Sequence, residues 1–250
     1  MTKAGNYHIY GLHSLQAVLE RSPERVLSVS IAQDKPDARV AQLLSEIERH
    51  AIALQRVSDK YLSKQLGDVN HQGVMAQVRP PHIGNEQDLL QDMAQLEVPL
   101  LLVLDGVQDP HNLGACLRSA DAAGAHAVVV PRDRACGLNA TVSKVASGAA
   151  EVLPFYQVTN LARTLRELQG EQVHCVGLAG EAISSLYDCK LHGPLALVLG
   201  AEGTGLRRLT RETCDVLARL PMHGSVESLN VSVTAGIALF EAVRQRSLPG

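Results

Sequence analysis

Aromatic residues are scarce in this 250-residue chain, which has no tryptophan, two phenylalanines and five tyrosines. So few flat rings argue against a platform on which nucleic-acid bases stack. An excess of charge is missing too. The formal net charge is −3. Residues 1–80 hold ten Lys/Arg against eight Asp/Glu, residues 81–98 four acids and no base, and residues 99–250 thirteen bases against fourteen acids. A polyanionic partner would therefore be held by local patches rather than by a global field. The five cysteines, Cys116, Cys136, Cys175, Cys189 and Cys214, are odd in number and never spaced CxxC. That argues against a disulfide frame or a zinc site and for reduced, buried thiols in a cytoplasmic protein. The ten histidines offer no pair at ligand spacing, so no metal is expected. No apolar run reaches membrane-spanning length, and the N-terminal MTKAGNYH does not read as a leader, so no membrane is expected. G-x-G-x-x-G, G-x-x-x-x-G-K-[ST], H-E-x-x-H and G-x-S-x-G are all absent. This argues against a standard dinucleotide fold, a P-loop, a zinc protease and a serine hydrolase.

What is present falls into two blocks of alternating strand and helix patterns, divided near Arg79-Pro80-Pro81 and the acidic stretch after it. The first block predicts strands at 7–11, 26–32, 53–57 and 73–78 and helices at 13–21 and 38–50, a small α/β sandwich. A short helix at 88–96 is expected inside the connector. The second block opens on the apolar run Leu100-Leu101-Leu102-Val103-Leu104-Asp105. Further strands are expected at 127–130, 152–156, 173–178, 195–199 and 216–220, with helices at 112–123, 138–149, 161–168 and 229–246. Unbroken apolar strands alternating with helices predict a parallel sheet covered on both faces. The expected division is a domain at 1–78, a linker at 79–97 and a second domain at 98–250. Residues 1–80 should then fold independently, and a fragment starting near Leu96 should stay folded.

Three segments follow strands of the second block, at the edge where open α/β sheets place their ligands. In Asp105–Arg118, Asp-Pro and glycines make a turn, and Asn112 suits the cap of the next helix. Asn112 and Arg118 are either site residues or, respectively, a cap and a solvated helix residue. Leu199-Gly200-Ala201-Glu202-Gly203-Thr204-Gly205 carries more glycines than a plain turn needs, which lets backbone groups approach a ligand. Glu202 either pairs with a basic catalytic residue or sits in the first turn of a helix. In Leu220–Val233, Ser228 and Asn230 both stand at the mouth of the last helix, where capping accounts for only one of them. That helix carries an apolar stripe, Leu229, Val233, Ile237, Phe240 and Val243, at helical spacing.

The phrases DPHNLGACLRSADAAG, LVLGAEGTGL and LPMHGSVESLNVSV resemble the three motifs of the SpoU class of SPOUT methyltransferases, in order and spacing. Ile9-Tyr10-Gly11 and His71-Gln72-Gly73 resemble class members with an N-terminal ribosomal-protein-L30-like RNA-binding domain. The resemblance covers nearly the whole chain. It implies an α/β fold: a trefoil-knotted C-terminal domain with a parallel sheet, plus the small L30e-like sandwich. It implies transfer of a methyl group from S-adenosylmethionine to a ribose 2′-hydroxyl by direct displacement, and the nearest likeness is to members acting on a guanosine of 23S rRNA. Cofactor binding is implied around Leu199, Gly200, Leu220, Met222, Ser228 and Leu229, and catalytic roles for Asn112, Arg118, Glu202 and Asn230, with Glu202 holding Arg118 or docking the nucleotide. A homodimer is implied, with the site completed across the interface. The alternatives are a class member acting on tRNA and a non-catalytic RNA-binding protein, against which the intact motif residues speak.

Overall fold

The computed structural model describes residues 6–33, 38–67 and 69–248. Most of the N-terminal stretch in which no leader was read, Met1–Gly5, lies outside them. The described residues form two compact units: one up to Pro81 together with Leu138–Val152, the other made of His82–Gly137 and the chain from Leu153 onward.

In the first unit, β1 (Tyr7–Tyr10), β2 (Val26–Ala32), β3 (Ala53–Val57) and β4 (Val74–Val78) form a sheet in the order β1-β4-β2-β3. β4 runs antiparallel to β1 and β2, whereas β2 and β3 are parallel. α1 (Leu12–Arg21) buries Leu12, Leu15, Val18 and Leu19, and α2 (Ala38–Arg49) buries Leu43 and Ile47. Both sets follow helical spacing and pack on Ile9, Val29, Ile31 and Val74. α3 (Asp59–Leu66), which the sequence pattern did not reveal, seats Leu62 on Ala32 and Met75.

Two short helices, α6 (Ala140–Ala146) and α7 (Ala149–Val152), complete this unit in place of the single helix expected at 138–149. Ser147 and Gly148 break it with φ of 53° and 100°. A Cβ on Gly148 would stand 3.2 Å from Ala17 Cβ, so the break lets α7 approach α1. Glu151 of α7 is buried; it accepts hydrogen bonds from Arg25 at 2.7 Å and from the Tyr7 hydroxyl at 2.8 Å. Arg25 also donates to the carbonyls of Arg79 and Glu151, so the buried charge pair is fully hydrogen-bonded.

The second unit is an eight-stranded, wholly parallel sheet in the order β10-β12-β9-β11-β6-β7-β8-β5. The expected linker supplies its edge: β5 (Ile83–Gly84) pairs with β8 (Phe155–Val158), and α4 (Glu86–Met93) buries Leu89 and Met93. Asn85 and Asp88 start α4 with reciprocal side-chain to backbone hydrogen bonds. β6 (Leu100–Asp105), β7 (Ala127–Pro131), β9 (His174–Leu178) and β11 (Leu195–Gly200) are the buried apolar runs that the sequence announced. Alternate residues face opposite sides. Leu101, Val103, Ala196 and Val198 meet α4 and α8 (Leu161–Gly170). Leu100, Leu102, Leu195 and Leu197 face the other side, where α5 (Pro110–Ala122) and α10 (Val231–Arg246) pack together. β10 (Ser184–Ser185), α9 (Arg208–Thr213) and β12 (Val216–Arg219) finish the unit. β12 pairs outside β9, yet the chain then returns so that α10 packs on α5 and β11. No helix among the described residues is long and apolar enough to cross a membrane.

Candidate active site

The three glycine- and asparagine-bearing segments meet in the second unit through hydrogen bonds. Asp109, not Asn112, caps α5: its carboxylate accepts from the His111 N–H at 2.9 Å, and Pro110 takes the first helical position, where a missing N–H costs nothing. Asn112, freed from capping, accepts a hydrogen bond from Asn230 Nδ2 at 2.9 Å and donates through its own Nδ2 to Glu202 at 3.3 Å. Asn230 uses its other amide atom, Oδ1, to cap α10 by accepting from the Ser232 N–H at 2.9 Å. One chain, Asn230–Asn112–Glu202, thus ties the third segment to the first and the first to the second.

The loop after β11 is shaped by close approach. A Cβ on Gly200 would lie 2.0 Å from the carbonyl carbon of Gly205, because the loop doubles back and Gly205 N–H donates to the Ala201 carbonyl. Gly203 and Gly205 both have positive φ, so the turn between them is closed to other residues without strain. Sequence reasoning gave no role to Asp105 and Arg207. Asp105 ends β6, is buried, and accepts from both the backbone N–H and the guanidinium of Arg207. This clamps the end of the glycine loop to the strand beside it. The available signal was an acid closing an unbroken apolar strand, a position that demands a partner.

Arg118 stands apart. It lies six residues beyond Asn112 on the same helix, about 9 Å along the axis and about 120° around it. It is exposed, and among the described residues its side chain has no partner; Glu202 pairs with Asn112 instead of holding it. Cys116, between these two residues, is buried, and burial pushes its thiol up to about 12, which makes it packing rather than a nucleophile.

The residues expected around the cofactor line the same edge. Leu199 is buried, leaving only its backbone to meet a ligand; Gly200, Leu220, Met222 and Leu229 are half-buried and Ser228 is exposed. From Pro221 to Leu229 the backbone makes no hydrogen bond to any described residue. Eight N–H donors (Pro221 has none) and nine carbonyl acceptors on one strand-to-helix loop form a donor set suited to the edge of a purine and the ends of an amino acid. S-adenosylmethionine contains both. Among the described residues no group of three or more His, Cys, Asp and Glu side chains is disposed to hold a metal ion.

The model of the SpoU rRNA Methylase family matches residues 99–240. A second model, described as RNA 2′-O ribose methyltransferase substrate binding, matches residues 8–84. The 23S rRNA (guanosine-2′-O-)-methyltransferase RlmB of Vibrio parahaemolyticus is 56% identical over 96% of this chain and 98% of its own. Its counterpart in Pectobacterium atrosepticum is 57% identical over 95% and 98%. The crystal structure of the SpoU methyltransferase AviRb from Streptomyces viridochromogenes in complex with AdoMet is 24% identical and shares the fold, with a TM-score of 0.80 over 98% of this chain and 92% of that one.

Proposed function

Because the chain belongs to the SpoU rRNA methylase family, we propose that it methylates the ribose 2′-hydroxyl of a guanosine in 23S rRNA, using S-adenosylmethionine, in the cytoplasm. The observation that carries this reading is the Asn230–Asn112–Glu202 chain, which orders all three motif segments around one edge of the sheet. The substrate follows from relatives more than half identical along nearly their whole length. The first unit, most of which falls in the span matched by the substrate-binding model, is the part that grips RNA.

When bound, S-adenosylmethionine supplies a methyl group activated by its sulfonium. The backbone of Leu199, of Gly200 and of the loop from Leu220 to Leu229, including Met222 and Ser228, would hold it. Asn112 and Asn230 keep that loop in register with α5, and Glu202 docks the nucleotide. Arg118 orients the hydroxyl, and its guanidinium offsets the negative charge that grows on the oxygen. Its distance from Asn112 within one chain supports a homodimer in which Arg118 serves the partner's site. The half-exposed Val233 and Phe240, one heptad apart on α10, support the same assembly. The knot is supported by the return of α10 beneath β11 after β12 has paired outside β9.

The test is transfer of labelled methyl from S-adenosylmethionine to 23S rRNA transcribed without modifications. Arg118→Ala is expected to keep affinity for S-adenosylhomocysteine and to slow single-turnover transfer about a hundredfold. Label on tRNA but not on 23S rRNA would reject the substrate, and near-normal rates in the variant would reject the role of Arg118.

A further inference from the structure

Cations in the second unit sort into two groups. Six of the twelve have an acid or carbonyl partner: Arg163 with Glu86 and Glu167, Arg207 with Asp105, Arg208 with Glu212, Arg211 with Glu181, Arg244 with Glu241, and Arg246 with backbone carbonyls. Among the described residues Arg118, Arg166, Lys190 and Arg219 have no side-chain partner, and neither do two further exposed residues, Arg132 and Arg134. These last two stand in the loop after β7, with Asp133, also exposed, between them.

That loop is not loosely held. Arg132 N–H donates to the Val158 carbonyl, and Cys136 N–H donates to the Val107 carbonyl at 2.8 Å. The Arg134 carbonyl accepts from Gln108 Nε2 and lies 3.6 Å from where a Cβ on Gly106 would be. Arg134 has φ of 58°, a left-handed backbone that a long side chain adopts only where its surroundings impose it. The loop is thus fixed to Gly106–Gln108, the turn that leads into α5 and Asn112.

Topology puts this loop beside the site. β11, β6 and β7 are adjacent and parallel, so the loops that follow them emerge side by side at about 4.8 Å per strand. They carry Glu202, the turn before Asn112, and the two arginines in that order. Arg219 also ends a strand, but β12 lies three places from β6 on the other side. A chain with a net charge of −3 that leaves two arginines unpaired on a constrained loop at this edge keeps them for an anion. We propose that Arg132 and Arg134 bind phosphates of the RNA strand flanking the ribose that is methylated. This rests on the functional reading above and adds a second RNA contact, outside the substrate-binding unit.

The test uses the full chain, S-adenosylhomocysteine and unmodified 23S rRNA transcript. Arg132→Ala is compared with Arg134→Gly, chosen because glycine keeps the left-handed backbone without strain. Each is expected to weaken RNA binding about tenfold and raise KM for RNA with kcat little changed. Each should also flatten the slope of log affinity against log salt by roughly one. Arg132→Lys should regain most of that slope. Undiminished RNA affinity and slope in both variants would overturn the proposal. So would loss of S-adenosylhomocysteine affinity in step with RNA affinity, since the loop would then only brace the site. A wild-type protein that binds cofactor but never labels RNA would instead reject the underlying function.

Discussion

Asn230 works with both ends of its amide, and that division makes it separable by substitution. Its oxygen caps α10 and its nitrogen donates to Asn112. Asn230→Asp keeps an acceptor at the cap, where Asp and Asn are equivalent, so thermal unfolding should stay within about 2 °C of wild type. It also sets a carboxylate oxygen against the Asn112 oxygen, and if Asn112 turns to donate, its own oxygen faces Glu202. Methyl transfer is therefore expected to fall at least about tenfold with the fold intact; unchanged single-turnover rates would refute the coupling. Gly200→Ala should do the reverse and destabilise the protein by more than about 2 kcal/mol, because the clash is with backbone that has nowhere to move. Calorimetry of unfolding checks this. At this scale the sequence was legible for residue type and left the role of Asn112 open between a cap and a site. Asn112 suited a cap because caps favour Asn, yet Asp109, one residue before a proline, holds that position. Only the fold brings 112, 202 and 230 together, since nothing local links residues 90 and 118 positions apart.

Long elements with one strong pattern were read correctly, and short or two-sided ones were not. The buried strands β6, β7, β9 and β11 were plain in their unbroken apolar runs. α3 and α9, of eight and six residues, are too short for periodicity to separate from loop. α10 presents two apolar faces. Spacing of its large residues picked out Val233, Ile237, Phe240 and Val243, whereas the buried face is Val231, Ala235, Ala238, Leu239 and Ala242. Alanines allow α10 to lie close against α5, where Gly236 comes near Ser119. Since Phe240 is half exposed within one chain, Phe240→Glu should leave the far-ultraviolet circular dichroism unchanged while shifting sedimentation from dimer to monomer. A wild-type chain that sediments as a monomer at micromolar concentration would dismiss the dimer.

For the whole molecule, the proline-marked break was visible but the units are not sequential. Residues 79–97 read as a linker because two prolines, Gly84-Asn85 and an acidic stretch follow one another there, yet Leu89 and Met93 are buried in the second unit's core. A fragment starting near Leu96 would therefore lose part of that core, and one starting at His82 is the better cut. The first unit needs Leu138–Val152, whose Glu151 neutralises the buried Arg25. Residues 6–81 alone leave that guanidinium without its acid, a loss of about 3–5 kcal/mol. Appending 138–152 should raise the melting temperature of the fragment by at least about 10 °C, and equal melting of the two would show Glu151 to be dispensable. The discontinuity also sets a clock on the ribosome. The first unit reaches its last strand at residue 78 but lacks its Glu151 until about 70 more residues are made, roughly 4 to 14 seconds later at usual elongation rates. During that interval β6, β7 and α5 of the second unit emerge ahead of the segment that completes the first, so the nascent chain must keep two unfinished cores apart while each waits for the other's sequence to pass.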